Sequence, residues 1–341
     1  MEFLADYAGF LIRLLSIALI ILLILSVVAS GKSKQRKGGN LTISKLNEGY
    51  QAMKSELSKQ LFDKKTLKQQ QKALKKQKKE EQKQKVDQEE KKRIYVIDFD
   101  GDMKASAVQS MREEITAILS VATAKDEVVV RLESPGGVVH GYGLAASQLQ
   151  RIKDKGVPLT VTVDKVAASG GYMMACVADK IVVAPFAILG SIGVVAQVPN
   201  IHRLLERNTI DVELHTAGKY KRTLTMLGEN TDEGREKFKQ DLEDTHELFK
   251  RFVSTNRPVL DIETIATGET WYGSEAIENK LADSVMTSDA YLEQFYADYD
   301  VLQVSYRETK GLTERIGLGV FSALEQKATK WLSKAIHHRG F

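Results

Sequence analysis

Residues 127–185 read EVVVRLESPGGVVHGYGLAASQLQRIKDKGVPLTVTVDKVAASGGYMMACVADKIVVAP. The segments EVVVRLE (127–133), LTVTVD (159–164) and KIVVAP (180–185) are short and rich in β-branched residues, which predicts strands. Between them, YGLAASQLQRIK and SGGYMMACVA repeat apolar residues at steps of three and four, which predicts helices. Strands that alternate with helices indicate a parallel or mostly parallel sheet with crossover helices, and hence an α/β fold.

The same alternation extends to both sides of this stretch. Upstream, IYVIDF (94–99) predicts a further strand and SAVQSMREEITAIL (106–119) a helix. Downstream, the pattern predicts a long helix over 231–255 and shorter helices near 258–266 and 287–297. One folded domain is therefore expected from the first of these strands to about residue 305.

The overall composition hides an uneven charge distribution. The chain has 341 residues, of which 43% are apolar, enough for a large core, and its formal net charge is +4. Residues 32–93 hold twenty Lys and Arg against eight Asp and Glu, a net charge of +12, so that residues 94–341 carry −7. Cys176 is the one cysteine of the sequence, which excludes an internal disulfide and a zinc site built on cysteine pairs.

An apolar run near the N-terminus predicts a membrane anchor over residues 1–31. Residues 8–30 contain a single charge, Arg13, and their length suffices for a helix across about 30 Å of hydrocarbon. A secretory signal peptide has basic residues before its apolar run, whereas here residues 1–7 are acidic and the basic residues follow. The positive-inside rule then predicts that the folded domain faces the cytoplasm.

The basic segment 32–93 is predicted to be a helical or flexible stalk. No apolar stripe runs through it, and its charge, directly after a span, favours contact with anionic lipid head groups. Aromatic residues that could stack on bases are not interleaved with its lysines, so nucleic acid is not expected as a partner. The sequence thus predicts an anchor (1–31), a stalk (32–93), a folded domain (94–305) and an amphipathic C-terminal tail (306–341).

Two glycine-containing turns could take part in chemistry. In the first, Pro135 ends a strand, and Gly136 and Gly137 allow backbone conformations that present N–H groups to an anion, although a simple helix-entry loop has the same sequence. In the second, Ser169 stands at the start of a helix beside Gly170, where the positive helix end stabilises developing negative charge. An N-capping serine would look the same, so a nucleophile needs a base.

Several residues could supply that base. His140 follows the Gly-Gly turn and His215 follows a short apolar alternation, but neither has an evident carboxylate to orient it. A lysine that burial keeps neutral can also activate a serine. The segment AGKYKRTLTM (217–226) supplies Lys219 and Lys221, with Tyr220, Met226 and Leu227 as the apolar side chains that could bury an ammonium group.

A dinucleotide site is the competing interpretation of the glycines. Residues 141–146 fit the pattern G-x-G-x-x-A, and Asp164 ends the next strand about 20 residues later. The strand ends at Leu132, too far before Gly141 for the tight strand-to-helix turn that the fingerprint requires. These glycines are therefore expected inside a helix.

Four motifs in this order resemble peptidase family S49, the signal peptide peptidase family. They are ESPGG (133–137), VAASGGYMMACVADKI (166–181), ILGSIGVV (188–195) and TAGKYKRTLT (216–225). The resemblance extends over nearly the whole chain. It implies a serine–lysine dyad on a fold similar to Clp proteases and crotonases, built from repeated ββα units.

The resemblance also implies roles for individual residues. Ser169 would be the nucleophile and Lys221 the general base, with Lys219 the less favoured alternative. Ser191 would contact the catalytic lysine. An oxyanion hole would be formed by the N–H of Gly136 or Gly137, with that of Gly170. Clp-type proteases use a histidine shortly after the nucleophilic helix, and this sequence has no histidine between that predicted helix and His202.

The expected activity is that of a membrane-anchored serine endopeptidase without metal or organic cofactor. Its expected substrates are unfolded or membrane-derived peptides such as signal peptide remnants, and its expected location is the bacterial inner membrane. The resemblance further suggests a ring-like homo-oligomer and a body outside the cytoplasm, opposite to the side that the basic residues favour. The alternatives are a non-catalytic membrane scaffold and a crotonase-like acyl-CoA enzyme.

Overall fold

The computed structural model describes residues 38–63 and 91–308, together with residues 65, 72 and 76. The chain divides into two compact units. The larger unit is Leu41–Tyr306. The predicted anchor, the middle of the predicted stalk and the predicted tail beyond residue 308 lie outside the described residues. None of the helices in the described ranges is long and apolar enough to cross a membrane.

Short strands and helices alternate along the larger unit, as the sequence predicts. The first elements are β1 (Gly39–Lys45), α1 (Leu46–Leu61), β2 (Arg93–Asp100), α2 (Val108–Leu119), β3 (Glu127–Glu133), α3 (Val139–Asp154), β4 (Leu159–Val163), β5 (Val166–Ala168) and α4 (Gly170–Ala175). They are followed by β6 (Lys180–Val183), β7 (Ile188–Gly190), α5 (His202–Arg207), α6 (Asp232–Asn256), α7 (Ile262–Ile265), β8 (Thr270–Tyr272), α8 (Gly273–Glu278), β9 (Ser284–Val285), α9 (Ser288–Glu293) and β10 (Asp300–Glu308).

These strands form two sheets. The larger has seven strands in the order β1-β10-β2-β3-β4-β6-β9, and the neighbours from β10 to β9 pair in parallel. The prediction of an α/β fold with a mostly parallel sheet is therefore confirmed. The smaller sheet has the order β5-β7-β8, with β5 and β7 parallel and β7 and β8 antiparallel. This small sheet carries the candidate site.

Residues of β2 alternate between two hydrophobic cores. Ile97 and Phe99 belong to the larger core, where α2, α3 and α4 contribute side chains such as Met111, Leu149 and Tyr172. Ile94 and Val96 point to the opposite face, where they join a smaller cluster with residues of α9. Successive side chains of a strand point to opposite faces of its sheet. Because β2 has apolar side chains on both faces, it is buried between two layers.

The first part of the predicted stalk forms regular secondary structure. β1 is the edge strand beside β10, and the side chain of Asn47 on α1 fixes the helix to the loop before β10. Its Nδ2 donates to the carbonyl oxygens of Tyr296 (3.1 Å) and Tyr299 (2.9 Å), and its Oδ1 accepts from the N–H of Val301 (2.8 Å). Residues 39–61 of the predicted stalk therefore form a strand and a solvent-exposed helix, and contacts near the start of that helix attach it to the larger unit. The division between stalk and folded domain stays a prediction.

A buried carboxyl group lies between α2 and β10. Glu114 is 5% exposed, and its Oε1 accepts the N–H of Tyr306 at 2.7 Å. Burial raises the pKa of Glu114 to about 7, the hydrogen bond from Tyr306 opposes this, and the nearby charge of Asp98 adds to the rise. The folded chain therefore binds a proton at Glu114 more tightly than the unfolded chain does.

Glu114→Gln is expected to stabilise the chain at alkaline pH. The pKa of Glu114 is higher in the folded chain than in the unfolded chain. Its favourable contribution to the free energy of unfolding is therefore complete below about pH 4.5 and is lost as the pH rises through about 7. The glutamine keeps an acceptor for Tyr306 without the charge, so the free energy of unfolding should exceed that of wild type by about 1–3 kcal/mol near pH 8 and by much less near pH 4. Urea denaturation at both pH values measures this. The matched control is Glu113→Gln on the exposed side of α2, and equal effects of the two variants would contradict the assignment.

Candidate active site

Ser169 occupies a strained turn between a strand and a helix. It follows β5 directly and precedes α4, with φ 51° and ψ −117°. Residues with a side chain rarely adopt this conformation, and where they do it is held by the surroundings and is found preferentially at functional sites. A serine at a sharp, strained strand-to-helix turn exposes its hydroxyl in the manner of a hydrolase nucleophile elbow.

Hydrogen bonds on both sides hold this turn. The N–H of Ser169 donates to the carbonyl of Gly190 (2.8 Å), and the N–H of Ala168 donates to that of Ser134 (3.0 Å). On the helix side, the N–H of Met173 donates to the carbonyl of Ser169 (2.9 Å). The strained conformation is thus fixed from β7, from the end of β3 and from α4.

Two glycines are required by close contacts around the turn. Gly136 has φ +90°, and a Cβ at this position would lie 2.7 Å from the Cβ of Ser169. A Cβ at Gly170 would lie 2.3 Å from the ring of Tyr142. The turn after β3 formed by residues 135–137, called the glycine turn below, therefore lies directly against Ser169. The first residue of α4 contacts α3.

Ser191 lies beside Ser169 as a consequence of strand register. Ala168, the last residue of β5, pairs with Gly190, the last residue of β7, and each is followed by one of the two serines. Ser191 also has a positive φ, 52°, and its N–H donates to the carbonyl of Glu269 at 2.6 Å. The structure thus places Ser191, the serine that the resemblance assigns to the catalytic lysine, in the lining of the same cavity as Ser169.

A cavity of about 870 Å³ opens over these residues. It is lined by both serines and by the glycine turn, and its remaining walls are mainly apolar. The lining residues are Met103, Pro135, Gly136, Gly137, Val138, Val139, Tyr142, Ser169, Gly170, Met173, Ser191, Gly193, Val194, Val195, Thr245, His246, Phe249, Thr267 and Gly268. Mainly apolar walls with a few polar side chains are typical of cavities that bind ligands.

The candidate oxyanion donors differ in their availability. The N–H of Gly136 already donates to the Oγ of Ser134 at 3.1 Å. For the N–H groups of Gly137 and Gly170, the described part of the chain offers no hydrogen-bond acceptor. Gly136 therefore shapes the turn, while Gly137 and Gly170 are the two predicted donors that remain uncommitted beside Ser169.

Neither of the two candidate lysines, Lys219 and Lys221, is among the residues that line the cavity. The Nζ of Lys219 pairs with Glu233 at 2.6 Å and lies 5.0 Å from the ring centre of Tyr220. The hydrogen bond with Glu233 is the largest cause that raises the pKa of Lys219, so this lysine is held as a cation. Lys221 is exposed, and among the described residues its Nζ has no hydrogen-bond or ion-pair partner. Of the two, Lys221 is the one not committed to a carboxylate.

The apolar side chains near Lys221 do not bury it in the single chain. Tyr220, Met226 and Leu227 are each about half exposed. The expectation that these residues enclose an ammonium group is therefore wrong for the isolated chain. The sequence shows that the residues are apolar and adjacent, but it does not show how far their side chains are exposed in the folded chain.

Sequence analysis missed one histidine of the cavity wall. His246 lies on α6 beside Thr245, and its Nε2 hydrogen-bonds the carbonyl of Ile192 at 3.3 Å. The two histidines considered from sequence do not line the cavity: His140 is exposed at the start of α3, and the exposed His215 pairs with Glu213 at 3.1 Å. His246 has no motif around it, so only the tertiary position of α6 reveals it.

The other motifs have structural explanations. Gly141 and Gly143 lie inside α3, as expected, and a Cβ at Gly141 would lie 2.8 Å from the carbonyl oxygen of Lys104. Asp164 accepts the N–H of Ser288 at 2.8 Å at the start of α9. Within the described ranges, no three His, Cys, Asp or Glu side chains are grouped closely enough to hold a metal ion.

Comparison with known proteins decides the family. Residues 2–149 match the N-terminal domain of peptidase family S49, and residues 151–301 match the peptidase family S49 domain itself. The chain belongs to peptidase family S49. The resemblance inferred from the four motifs is thereby confirmed, and membership of this family supports a peptidase.

Curated relatives of this S49 chain are named as proteases. It is 51% identical to a probable protease SohB of Haemophilus influenzae over 93% of this chain and 92% of the relative. It is 42% identical to a putative protease SohB of Buchnera aphidicola over 98% of this chain and the full length of the relative. Among solved structures, a 1510-N membrane-bound stomatin-specific protease covers 60% of this chain and 85% of its own, with 14% identity and a TM-score of 0.40.

Proposed function

We propose that this S49 chain is a membrane-anchored serine endopeptidase in which Ser169 is the nucleophile and Lys221 the general base. The observation that carries the proposal is the strained conformation of Ser169, with φ 51°, beside two uncommitted backbone N–H groups in one cavity. Backbone strain is found preferentially at functional residues, and acyl transfer is accelerated by N–H donors next to the nucleophile. The protease names of relatives at 51% and 42% identity support the same reaction.

In the proposed reaction, the neutral amine of Lys221 takes the proton of the Ser169 hydroxyl as Oγ attacks the peptide carbonyl carbon. The N–H groups of Gly137 and Gly170 donate to the oxyanion of the tetrahedral intermediate. The lysine then gives its proton to the leaving amine, and the acyl-enzyme forms. Water attacks the ester, Lys221 accepts a proton from it, and the carboxylic acid product leaves as Ser169 regains its hydrogen. Ser191, beside Ser169, holds the lysine.

We infer that a second copy of the chain completes the site. Lys221 does not line the cavity of its own chain, and large apolar side chains of the adjoining segments are exposed, Val195 at 92% and Phe186 at 84%. Clusters of exposed apolar side chains are typical of protein interfaces. A homo-oligomer would cover this surface and bring the lysine of one copy to the serine of another.

The proposed substrates are unfolded or membrane-derived peptides, including remnants of signal peptides. An apolar cavity wall, with Met173 and Phe249 among its residues, suits apolar side chains near the cleaved bond. The proposed location is the bacterial inner membrane, through the anchor predicted over residues 1–31 and a basic stalk that contacts anionic lipid. No cofactor takes part in the proposed reaction.

We further propose a fold of the Clp protease and crotonase type. Its repeated ββα unit has a counterpart in β4, β5 and α4, where β4 lies in the large sheet and β5 in the small one. β6 and β7 repeat this division between the two sheets. This supports the relationship that the resemblance implies.

A fluorophosphonate probe tests the proposed function directly. The wild-type chain in detergent is expected to form a covalent adduct, located on Ser169 by mass spectrometry of proteolytic fragments. Ser191→Ala is the matched control, because it removes the neighbouring hydroxyl of the same cavity but leaves the nucleophile. A folded wild-type protein that is not labelled would contradict the peptidase and favour a membrane scaffold. Turnover of an acyl-CoA that persists in Ser169→Ala would instead favour crotonase-like chemistry.

A further inference from the structure

Two buried hydroxyl groups behind the glycine turn have no part in the mechanism above. Ser134 follows β3 and Tyr142 lies on α3, and both residues are fully buried. The Oγ of Ser134 lies 2.6 Å from the Oη of Tyr142. The Tyr142 hydroxyl donates to the carbonyl of Asp102 at 2.8 Å, and the N–H of Gly136 donates to the Oγ of Ser134 at 3.1 Å.

These contacts form a chain of hydrogen bonds with one direction. The single hydroxyl hydrogen of Tyr142 is given to Asp102, so Ser134 must donate to Tyr142, and Gly136 in turn donates to Ser134. Burial raises the pKa of Tyr142, so its hydroxyl keeps the hydrogen. Every member is satisfied, and removal of one hydroxyl leaves a buried partner unpaired, which costs about 1–3 kcal/mol.

One end of this chain reaches the reacting serine. A Cβ at Gly136 would lie 2.7 Å from the Cβ of Ser169 and 2.8 Å from the nitrogen of Gly170, so the turn has no free space on this side. On the other side, a Cβ at Gly137 would lie 2.2 Å from the carbonyl oxygen of Met103. A shift of Gly136 therefore moves the Gly137 N–H relative to Ser169.

The other end is fixed within the loop after β2. The carboxylate of Asp102 accepts the N–H groups of Lys104 (3.1 Å) and Ser106 (2.8 Å). In the same loop, the carbonyl of Met103 accepts the N–H of Val138 at 2.9 Å. The carbonyl of Asp102, which accepts the Tyr142 hydroxyl, is thus itself held in place, so this end of the hydrogen-bond chain does not move.

We propose that Ser134 and Tyr142 are positioning residues that hold the glycine turn so that the Gly137 N–H meets the oxyanion. The inference rests on the proposed function and extends it, since both hydroxyls are committed to the chain of hydrogen bonds and act through Gly136. It assigns the two hydroxyls a role in the transition state, where the position of a donor decides its effect, and none in ground-state binding.

Tyr142→Phe tests this assignment, because it removes the hydroxyl and keeps the ring against Gly170. The expected result is a kcat lowered about 10- to 100-fold with KM within about twofold of wild type. The fluorophosphonate labelling rate should fall by a similar factor, because that reaction also develops an oxyanion. A kcat within twofold of wild type would overturn the proposal.

Tyr172→Phe is the matched control. Tyr172 is also fully buried, and its hydroxyl donates to the carbonyl of Leu281 at 3.0 Å, outside the hydrogen-bond chain. This variant is expected to lose stability comparable to Tyr142→Phe while it keeps the wild-type kcat. If both variants lower kcat equally, the effect is one of general stability and the proposal is wrong.

Ser134→Ala provides the same comparison if Tyr142→Phe does not fold. It breaks the chain at its next member, so the two substitutions should be non-additive in kcat when combined. Additive losses would show that the hydroxyls act separately, which contradicts a single chain. Measurements on the wild-type protein separate this inference from the proposed function. A wild-type protein that neither hydrolyses peptides nor is labelled refutes the proposed function. An active wild-type protein whose kcat Tyr142→Phe does not change refutes this inference alone.

Discussion

Ser169→Ala is expected to lower kcat for peptide hydrolysis by about 10⁴-fold or more, as in serine hydrolases that lose the nucleophile. The substitution removes a hydroxyl that combines backbone strain with adjacent uncommitted N–H groups. The measurement is cleavage of a fluorogenic peptide by the full-length protein in detergent, with circular dichroism to verify the fold. Activity within tenfold of wild type would contradict the assignment of Ser169. Ser191→Ala, measured in parallel, should retain more activity, because Ser191 acts only through the lysine.

A second substitution at the same position separates catalysis from strain. Ser169→Gly also removes the hydroxyl, but glycine adopts φ 51° and ψ −117° without the steric cost that serine and alanine bear. Ser169→Gly is therefore expected to be inactive and to exceed Ser169→Ala in free energy of unfolding by about 1–3 kcal/mol. Equal stabilities of the two variants in urea denaturation would show that the turn stores no strain.

The fold was predictable where local pattern decides it. The segments at 94–99, 127–133 and 159–164 are strands, because short runs rich in β-branched residues are typical of strands in the interior of a sheet. The edge strand β1 and the attachment of helix α1 to the larger unit were not predicted. Asn47 attaches them through three hydrogen bonds with residues near 300, and a contact between residues so distant in sequence leaves no periodicity.

The candidate site was also predictable where local sequence pattern decides it, and not where contacts between distant residues do. Ser169 and the glycines after β3 could be proposed as site residues because glycine and proline are enriched at turns between strands and helices. Sequence could not distinguish Gly136 from Gly137 as a donor, since the difference lies in a hydrogen bond from Gly136 to Ser134. His246 was missed for a related reason, because its place in the cavity wall depends on the tertiary position of α6.

Lys221→Ala is expected to abolish hydrolysis as completely as Ser169→Ala, while Lys219→Ala keeps most of the activity. The two lysines are two residues apart, yet their surroundings differ. Lys219 pairs with Glu233 at 2.6 Å and contacts Tyr220, which raises the pKa of Lys219 and keeps it charged. A charged amine cannot take the proton of Ser169. Peptide cleavage by both variants is the measurement, and an active Lys221→Ala enzyme would refute the dyad.

A mixing experiment extends this prediction to the source of the lysine. Lys221 is exposed and lies outside the cavity lining of its own chain, so a second copy must deliver it if the exposed apolar segments form an interface. Ser169→Ala and Lys221→Ala subunits, each inactive, are then expected to recover part of the wild-type activity when they are dissociated and reassembled together. In random assemblies some sites would combine an intact serine from one variant with an intact lysine from the other. Mixtures that stay inactive, while wild-type subunits treated identically regain activity, would mean that each chain delivers its own Lys221 by moving the segment between β7 and α6.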